Sequence, residues 1–326
     1  MCHCLKIAQN CTNTILNTKY VLLFKLETQM SEKDNILFET ALTRFDNIQS
    51  GVRDEREQCL KDRRFYSIAG AQWEGPLKEQ FDNKPKFEVN KIHLSVIRIF
   101  NEYRNNRIAI RFESRDGKND RLAELATDLY RADEADSNAE EAYDNAFEEG
   151  TGGGIGGFRL RSEYEDDADW DNEQQRIGWE PIYDADSSIY FDLDSKKQDK
   201  SDAKFCFVIS SMSPDAYEEE WGDNPASWPK NVHDWEFDWY RQDAVFIAEY
   251  YILEDASETV IKFQTVDGKE ERHKESELDD ETLEILTATG AKEIGRRKIK
   301  TKRCHKYILS GGKLLEDAGY IAGDEI

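Results

Sequence analysis

The sequence predicts an α+β fold with helices first and strands later, rather than a wound parallel sheet. Three observations carry this. Up to about residue 150 the apolar residues recur at helical spacing, and from about residue 158 they alternate at the period of a strand. The two kinds of segment are segregated along the chain instead of interleaved. With 326 residues, 38% hydrophobic and 11% aromatic, the chain is too rich in core formers for a disordered polymer.

Charge and cysteine usage narrow the function classes. There are 44 Lys plus Arg against 68 Asp plus Glu, a formal charge of −24. Such a chain repels phosphate unless its basic residues are segregated, which argues against nonspecific nucleic-acid coating. The longest apolar stretch, residues 20–26, is broken by Lys25 and falls far short of the ~20 residues a bilayer helix needs. The six cysteines, at positions 2, 4, 11, 59, 206 and 304, have no framework spacing and point to a reducing compartment.

Taken in order, residues 1–29 hold three of the cysteines, three lysines and Glu27 as their one acid. Met30 is followed by Ser31 and, three residues on, Asp34, which resembles an initiator and a helix cap. Residues 1–29 are therefore expected to be a non-native or disordered extension, with Met30 as the start. Cys2, His3, Cys4 and Cys11 lack the paired spacing of a zinc module.

Leu37, Ala41, Leu42, Phe45 and Ile48 predict a helix, and the charged stretch 53–64 a solvated one. Val89, Ile92, Val96, Ile99 and Tyr103 predict the next, with His93 read as structural. Ile108, Ile110 and Phe112 alternate like a strand. Leu122, Leu125, Ala126 and Leu129 set a further helix. Ser137 and Glu140 then have the spacing to cap another, whose buried face is Ala139, Ala142, Tyr143, Ala146 and Phe147. Beyond it, Phe158, Leu160 and Tyr164 begin the β region, and strands are expected over 189–191, 205–209, 245–253, 259–265 and 299–309.

Several motifs dissolve on inspection. Gly152, Gly154 and Gly157 have the spacing of a dinucleotide loop, but that loop needs a strand before it and a helix after it. Here a helix precedes and a strand follows, so the glycines read as a helix-to-strand connection. The acids Asp167, Asp169 and Asp171 open like a calcium loop, yet Asn172 stands where Gly is required and Gly178 where Glu is. Asp184, Asp186, Asp192 and Asp194 could converge on a divalent ion, although aspartates flanking strands are common for local reasons. Trp221, Trp228, Trp235 and Trp239 read as subdomain packing rather than a stacking platform. His233 and Asp234 have no metal or triad partner at a telling spacing, and no catalytic signature is present.

One region breaks the acidic rule. Residues 291–313 carry nine basic residues against Glu293 alone, a charge of +8 in 23 residues that leaves −32 for the other 303. This is either a solvated strand face or a docking surface for an acidic partner or DNA backbone. Ser310-Gly311-Gly312-Lys313 reads as the turn of a hairpin.

The ordered set of segments resembles a known family. It runs through 81–116, with Val89-Asn90, Asn105-Asn106-Arg107-Ile108 and Asp116-Gly117, then Arg121-Leu122-Ala123-Glu124-Leu125 and residues 138–147. Gly156-Gly157-Phe158-Arg159-Leu160, Tyr164-Glu165-Asp166, Glu180-Pro181-Ile182 and Tyr190-Phe191-Asp192 follow. The last is Ser201-Asp202-Ala203-Lys204-Phe205-Cys206, leading to Ser211-Met212-Ser213. From about Ile36 to Ile326 the chain resembles the N-terminal half of portal proteins, the head-to-tail connectors of short-tailed, podovirus-type bacteriophages.

That resemblance implies a non-enzymatic subunit of a twelvefold ring at one capsid vertex, through which viral DNA is packaged and ejected. ATP would be hydrolysed by a separate terminase docked on the ring. Residues 30–150 would form a helical wing portion, 151–290 a β-rich wing portion, and 291–326 a clip-like basic hairpin at the start of the stem and clip. Arg296, Arg297, Lys298, Lys300, Lys302, Arg303 and Lys306 would face the partner or DNA. No catalytic residue, metal or cofactor is implied. The implied partners are further copies of the chain, terminase, capsid, scaffolding and tail proteins, and double-stranded DNA, with no membrane. The location would be the virion's portal vertex, and the host cytoplasm during assembly. Family chains continue past the position of Ile326, so a truncated or split portal is expected. Two rivals stand beside this reading: a divalent-metal nuclease built on Asp184, Asp186, Asp192 and Asp194, and an acidic binding module using the tryptophans.

Overall fold

The computed structural model describes residues 32–67, 69–114, 119–165, 174–225, 228, 237–264, 270–275, 278, 288 and 290–321. The expectations for residues 1–29, for Ser31, for the acidic run 166–171 and for His233, Asp234 and Trp235 lie outside the described residues.

The chain opens on α1 (Glu32–Ser67), in which the predicted apolar stripe and the charged stretch join in one helix. Its first half is held by burial. Ala41, Leu42, Phe45 and Ile48 sit one and two turns apart and are inaccessible to solvent. Its second half is held by two arginines. The Arg56 guanidinium donates to the carbonyl oxygens of Ala185, Asp186 and Ile189 at 3.1, 2.9 and 2.5 Å. Arg63 reaches Asp184 and Asp186 at 2.6 and 2.7 Å.

A 3-10 turn (Ala71–Trp73) and α2 (Pro76–Gln80) lead to α3 (Lys91–Asn105), α4 (Asp120–Asp136) and α5 (Ala139–Gly153). Asn90 caps α3 by accepting from the His93 amide at 2.8 Å. Tyr103 of α3 stacks on Phe147 of α5 with centroids 3.9 Å apart. The inward face of α3 is His93, Val96, Phe100 and Tyr103, whereas the expected Ile92 and Ile99 are exposed. In α4 the expected stripe is also turned outward. Leu122, Leu125 and Leu129 are exposed, and Thr127 is buried instead. The cause is Tyr130, which packs edge-on against Trp179 at 5.3 Å and shares a hydrogen bond with Tyr143 at 3.2 Å.

The capping box expected at Ser137 does not form. Asn138 occupies the cap position with φ 52°, a left-handed conformation, and its side chain caps nothing. A cap of that kind needs extended backbone, which the two-residue turn between α4 and α5 does not allow. Ser137 Oγ instead donates back to the Asp133 carbonyl at 2.7 Å. The expected strand over 108–112 does not form: these residues belong to no helix and join no sheet among the described residues.

Two antiparallel sheets follow. β1 (Gly157–Tyr164) pairs with β2 (Gln175–Ile182). After α6 (Ala185–Ser188) come β3 (Ile189–Phe191), β4 (Phe205–Met212), α7 (Pro214–Trp221), β5 (Val245–Gln264), β6 (Glu270–Lys274), β7 (Lys292–Ser310) and β8 (Leu314–Ile321). These strands form one sheet in the order β3-β4-β5-β7-β8, with β6 on the far part of β5. Strands on both sides of residue 291 thus share a sheet. Along β5 the side chains alternate between two cores. Ala248 and Tyr250 join Phe45, Tyr190, Phe207, Trp239 and Leu309 under α1, while Val245 and Ile247 join Tyr217 under α7.

The glycine-rich connection is a helix end followed by a strand. Gly154 closes α5 with φ 90° and β1 begins at Gly157. The β7–β8 turn is closed by the Ser310 amide donating to the Lys313 carbonyl at 3.0 Å. Gly311 and Gly312 there lie against Trp239 and Trp228, so this turn belongs to the core end of the sheet.

Candidate functional site: a basic ribbon on an acidic body

The last rungs that flank β5 and β7 on the sheet are Phe205↔Ile252 on one side and Cys304↔Ile321 on the other. Beyond them, apart from the Leu253 amide bonding the Lys204 carbonyl, β5 and β7 pair only with each other among the described residues until β6 joins at Val260. From the Leu253↔Cys304 rung to the Gln264↔Lys292 rung the ribbon runs about 37 Å, at ~3.4 Å per residue. Its far end is steadied by Ile261 and Phe263, which pack with Leu278 and Ala291.

The strand period sorts the cations. Arg296, Lys298, Lys300 and Lys302 share one face of β7, opposite Ile261, Thr259, Ser257 and Asp255. Arg297 and Arg303 share the other, opposite Val260 and Glu254. Three of the seven candidate residues are committed internally. Arg296 binds Glu293 at 2.7 Å and Glu275 at 3.3 Å. Arg303 lies 3.9 Å from Glu258 and over the Tyr320 ring. Lys306 is turned into the body, where it meets Glu249 at 3.1 Å. Arg297, Lys298, Lys300 and Lys302 are exposed and have no ion pair among the described residues. Lys298, Lys300 and Lys302 repeat at about 7 Å on one face. A row of ammonium groups on flexible stems suits phosphate or carboxylate contact without base readout.

Two clusters anchor the ribbon's root. On one side Glu249 gathers Arg159, Arg161 (3.6 Å), Lys306 and Tyr251, and Arg159 and Arg161 also bind Glu180 at 2.7 and 2.6 Å. This network joins the two sheets. Burial pushes the Glu249 carboxyl up, but the Tyr251 hydrogen bond and the charges of Arg159 and Lys306 outweigh it and hold its pKa below the usual carboxylate range. On the other side His305 Nε2 meets Asp317 at 2.6 Å, while its Nδ1 lies 3.0 Å from the Tyr307 hydroxyl. Asp317 is likewise pushed up by burial and pulled further down by His305 and the Gly319 amide. The Glu249 network has no local sequence signal, since its members come from four strands. Arg159 and Arg161 read only as the polar side of a strand.

The rival sites are otherwise occupied. Asp184 and Asp186 are bound by Arg63. Asp192 accepts from the Asp194 amide, shaping a local turn. No group of three or more His, Cys, Asp or Glu is arranged to hold a metal among the described residues, and the nuclease reading finds no support. Trp239 is buried against Phe45, and Trp228 packs on Tyr217 and Gly312. No helix among the described residues is long and apolar enough to cross a membrane.

Comparison with known proteins points the same way. The family model of phage P22-like portal proteins matches residues 42–326. A portal protein of Acyrthosiphon pisum secondary endosymbiont phage 1 is 38% identical over 296 residues, which is 88% of this chain and 41% of that protein. The chain therefore spans about two fifths of the length of this curated relative.

Proposed function

This chain belongs to the phage P22-like portal protein family, and from that premise we propose that it is a structural subunit of a portal ring through which viral DNA is packaged and ejected. In this reading the helices and the two sheets build the wing, and the β5–β7 ribbon begins the clip. No chemical step is assigned to it. Further copies of the chain form the ring, twelvefold in this reading, at the capsid's portal vertex after assembly in the host cytoplasm. Terminase, capsid, scaffolding and tail proteins are its partners.

The observation that carries the reading is that Arg297, Lys298, Lys300 and Lys302 are exposed and have no ion pair among the described residues, within a segment of charge +8 in a chain whose other 303 residues carry −32. The body repels polyanions and the ribbon attracts them, which favours contact at the ribbon alone and leaves DNA free to slide elsewhere.

The test is fluorescence anisotropy with a DNA duplex over a salt series, using the wild type and K298A/K300A/K302A. Binding that weakens with salt, with the slope of log K against log salt reduced by about 3 in the triple variant, supports the DNA-facing ribbon. Equal affinity and slope for both proteins would sink it. If DNA does not bind but terminase does, and the triple variant loses that, the ribbon is a protein-docking surface instead.

A further inference from the structure

We propose that the open edge of β7, from Lys298 to Lys302, is a strand-acceptor site for a partner protein, and that the segment it takes is extended with carboxylates at alternate positions. The proposal rests on the reading of the ribbon as a contact surface. It adds to the ammonium row the backbone edge beside it, which only a polypeptide can pair with as a strand.

The pairing within the ribbon fixes which backbone groups are open. In an antiparallel ladder the amide and carbonyl of one residue point to the same side, and successive residues point to opposite sides. Leu253 donates its amide to the Lys204 carbonyl at 2.8 Å, so it faces away from β7. The Leu253↔Cys304 rung is therefore a non-hydrogen-bonded one, and the register continues from it without a shift to Ile261↔Arg296. Along that register Arg297, Ile299, Thr301 and Arg303 bond to β5, while the amides and carbonyls of Lys298, Lys300 and Lys302 point away from it. On that side β8 pairs no further than Cys304, and no other strand joins β7 beyond it among the described residues. The three lysines that line one exposed face are thus the three whose backbone groups lie on the open edge.

Together these groups fit one kind of ligand. A strand laid antiparallel on this edge sets a residue directly opposite each of Lys298, Lys300 and Lys302, on the same face and about 5.5 Å away between Cα atoms. Carboxylates there meet ammonium groups that have no ion pair among the described residues. The intervening side chains fall on the other face, beside half-buried Ile299 and Thr301. Thr301 Oγ1 is shielded from solvent and has no hydrogen-bond partner among the described residues. Val and Thr suit those places, so the matching segment alternates acids with β-branched residues. A second β7 is refused, because its own lysines would stand opposite these. The edge is also prepared in advance. β5 pairs with β7 from Lys292 to Ser310, so docking orders little besides the incoming chain.

The probe is a short synthetic peptide in which Glu alternates with Val and Thr. Beside it stand one peptide with Lys in place of Glu and one N-methylated along the edge it would present. Calorimetric titration and hydrogen exchange on the full chain read the binding. The acidic peptide should bind, less tightly as salt rises, and should protect the amides of Lys298, Lys300 and Lys302. The Lys peptide and the N-methylated peptide should each bind at least about tenfold more weakly. These arms need no variant to fold. K300P and K300A lose the same charge, but only proline removes the outward amide, and an edge strand tolerates it there. K300P should therefore bind the acidic peptide about tenfold more weakly than K300A, while the two bind a DNA duplex alike. No binding, equal binding of the three peptides, or exchange at the three amides unchanged by the acidic peptide would overturn the proposal. So would protection already present in the free protein. If it is lost from a chain ending at Ile321 the edge belongs to residues 322–326, and if it grows with protein concentration the edge belongs to a second copy. Salt-dependent duplex binding that survives these failures keeps the DNA-facing ribbon. Peptide binding without duplex binding discards that reading and supports the strand acceptor alone.

Discussion

Arg159 and Glu249, 90 positions apart in sequence, form an ion pair that ties the two-stranded sheet to the six-stranded one. Glu249 is only 14% exposed and also takes Arg161 and Lys306, so removing its charge takes the Glu249 partner from Lys306 and leaves Arg159 and Arg161 to Glu180. Glu249→Gln keeps the shape and is expected to destabilise the protein by about 2 kcal/mol. Urea denaturation measures this, and a double-mutant cycle with Arg159→Gln should return a coupling of about 1–3 kcal/mol. Additive effects would mean that the sheets are joined by packing alone.

The same carboxylates set an acid limit. Glu249 and Asp317 have pKa values held below those of the unfolded chain. Each therefore contributes stability that is fully present above the unfolded value, about 4, and is lost as pH falls through the lowered folded value. Melting temperature should be flat from neutral pH down to about 5 and fall below about 4. Glu249→Gln and Asp317→Asn should each lower the neutral plateau and flatten the acid limb. A variant as acid-sensitive as the wild type would exclude that carboxylate as a cause.

Legibility differed by the kind of information each feature needs. The stripe Ala41, Leu42, Phe45 and Ile48 was readable because helical periodicity is local, and the structure buries all four. Leu122, Leu125 and Leu129 follow the same periodicity and stay exposed. Spacing reveals that a face is apolar but not what covers it. The cations of 291–313 were evident from composition, yet nothing local separates Lys306, tied to Glu249 across 57 positions, from Lys298, which is unpaired among the described residues. The glycine run was readable as a connection because the order of its flanking elements is itself local. The reasons for its individual glycines were not, as they depend on what packs from elsewhere.

Those reasons can be ranked. A Cβ on Gly156 would lie 1.9 Å from the Ala146 carbonyl oxygen, a backbone atom that cannot swing aside. Gly154 meets nothing within 4 Å, but its φ of 90° disfavours any Cβ. Gly154→Ala should lower stability by about 1–2 kcal/mol, the usual left-handed penalty. Gly156→Ala should exceed it, because α5 and β1 must part to admit the methyl. The order of the two melting temperatures checks this, and the reverse order would mean that the connection shifts freely.

Phe45 is the centre of the main core. Its ring lies 5.1–5.4 Å from those of Tyr190, Phe207, Phe237 and Trp239. Phe45→Ala empties a site walled by four rings that cannot collapse together, for a loss of about 3–5 kcal/mol. Ile36, nine residues earlier on the same helix, is exposed, and its replacement by Ala should change stability by less than about 0.5 kcal/mol. Denaturation midpoints of the two variants test whether α1 is anchored through this ring.

The clamp between Arg63 and Asp186 separates a structural carboxylate from a metal ligand. The Asp186 side chain is 1% exposed, and its Oδ2 has no hydrogen-bond partner among the described residues, so Arg63 is what balances its charge. Arg63→Ala should cost about 3 kcal/mol or more by leaving that carboxylate buried and unpaired. Adding Asp186→Asn to Arg63→Ala removes the charge and should restore part of the loss. A metal ligand behaves otherwise: Asp186→Asn alone would abolish stabilisation of the protein by added Mg²⁺ or Ca²⁺. Thermal melts of the wild type with and without those ions, beside the two variants, decide the matter. The clamp predicts no ion effect in the wild type and partial rescue in the double variant.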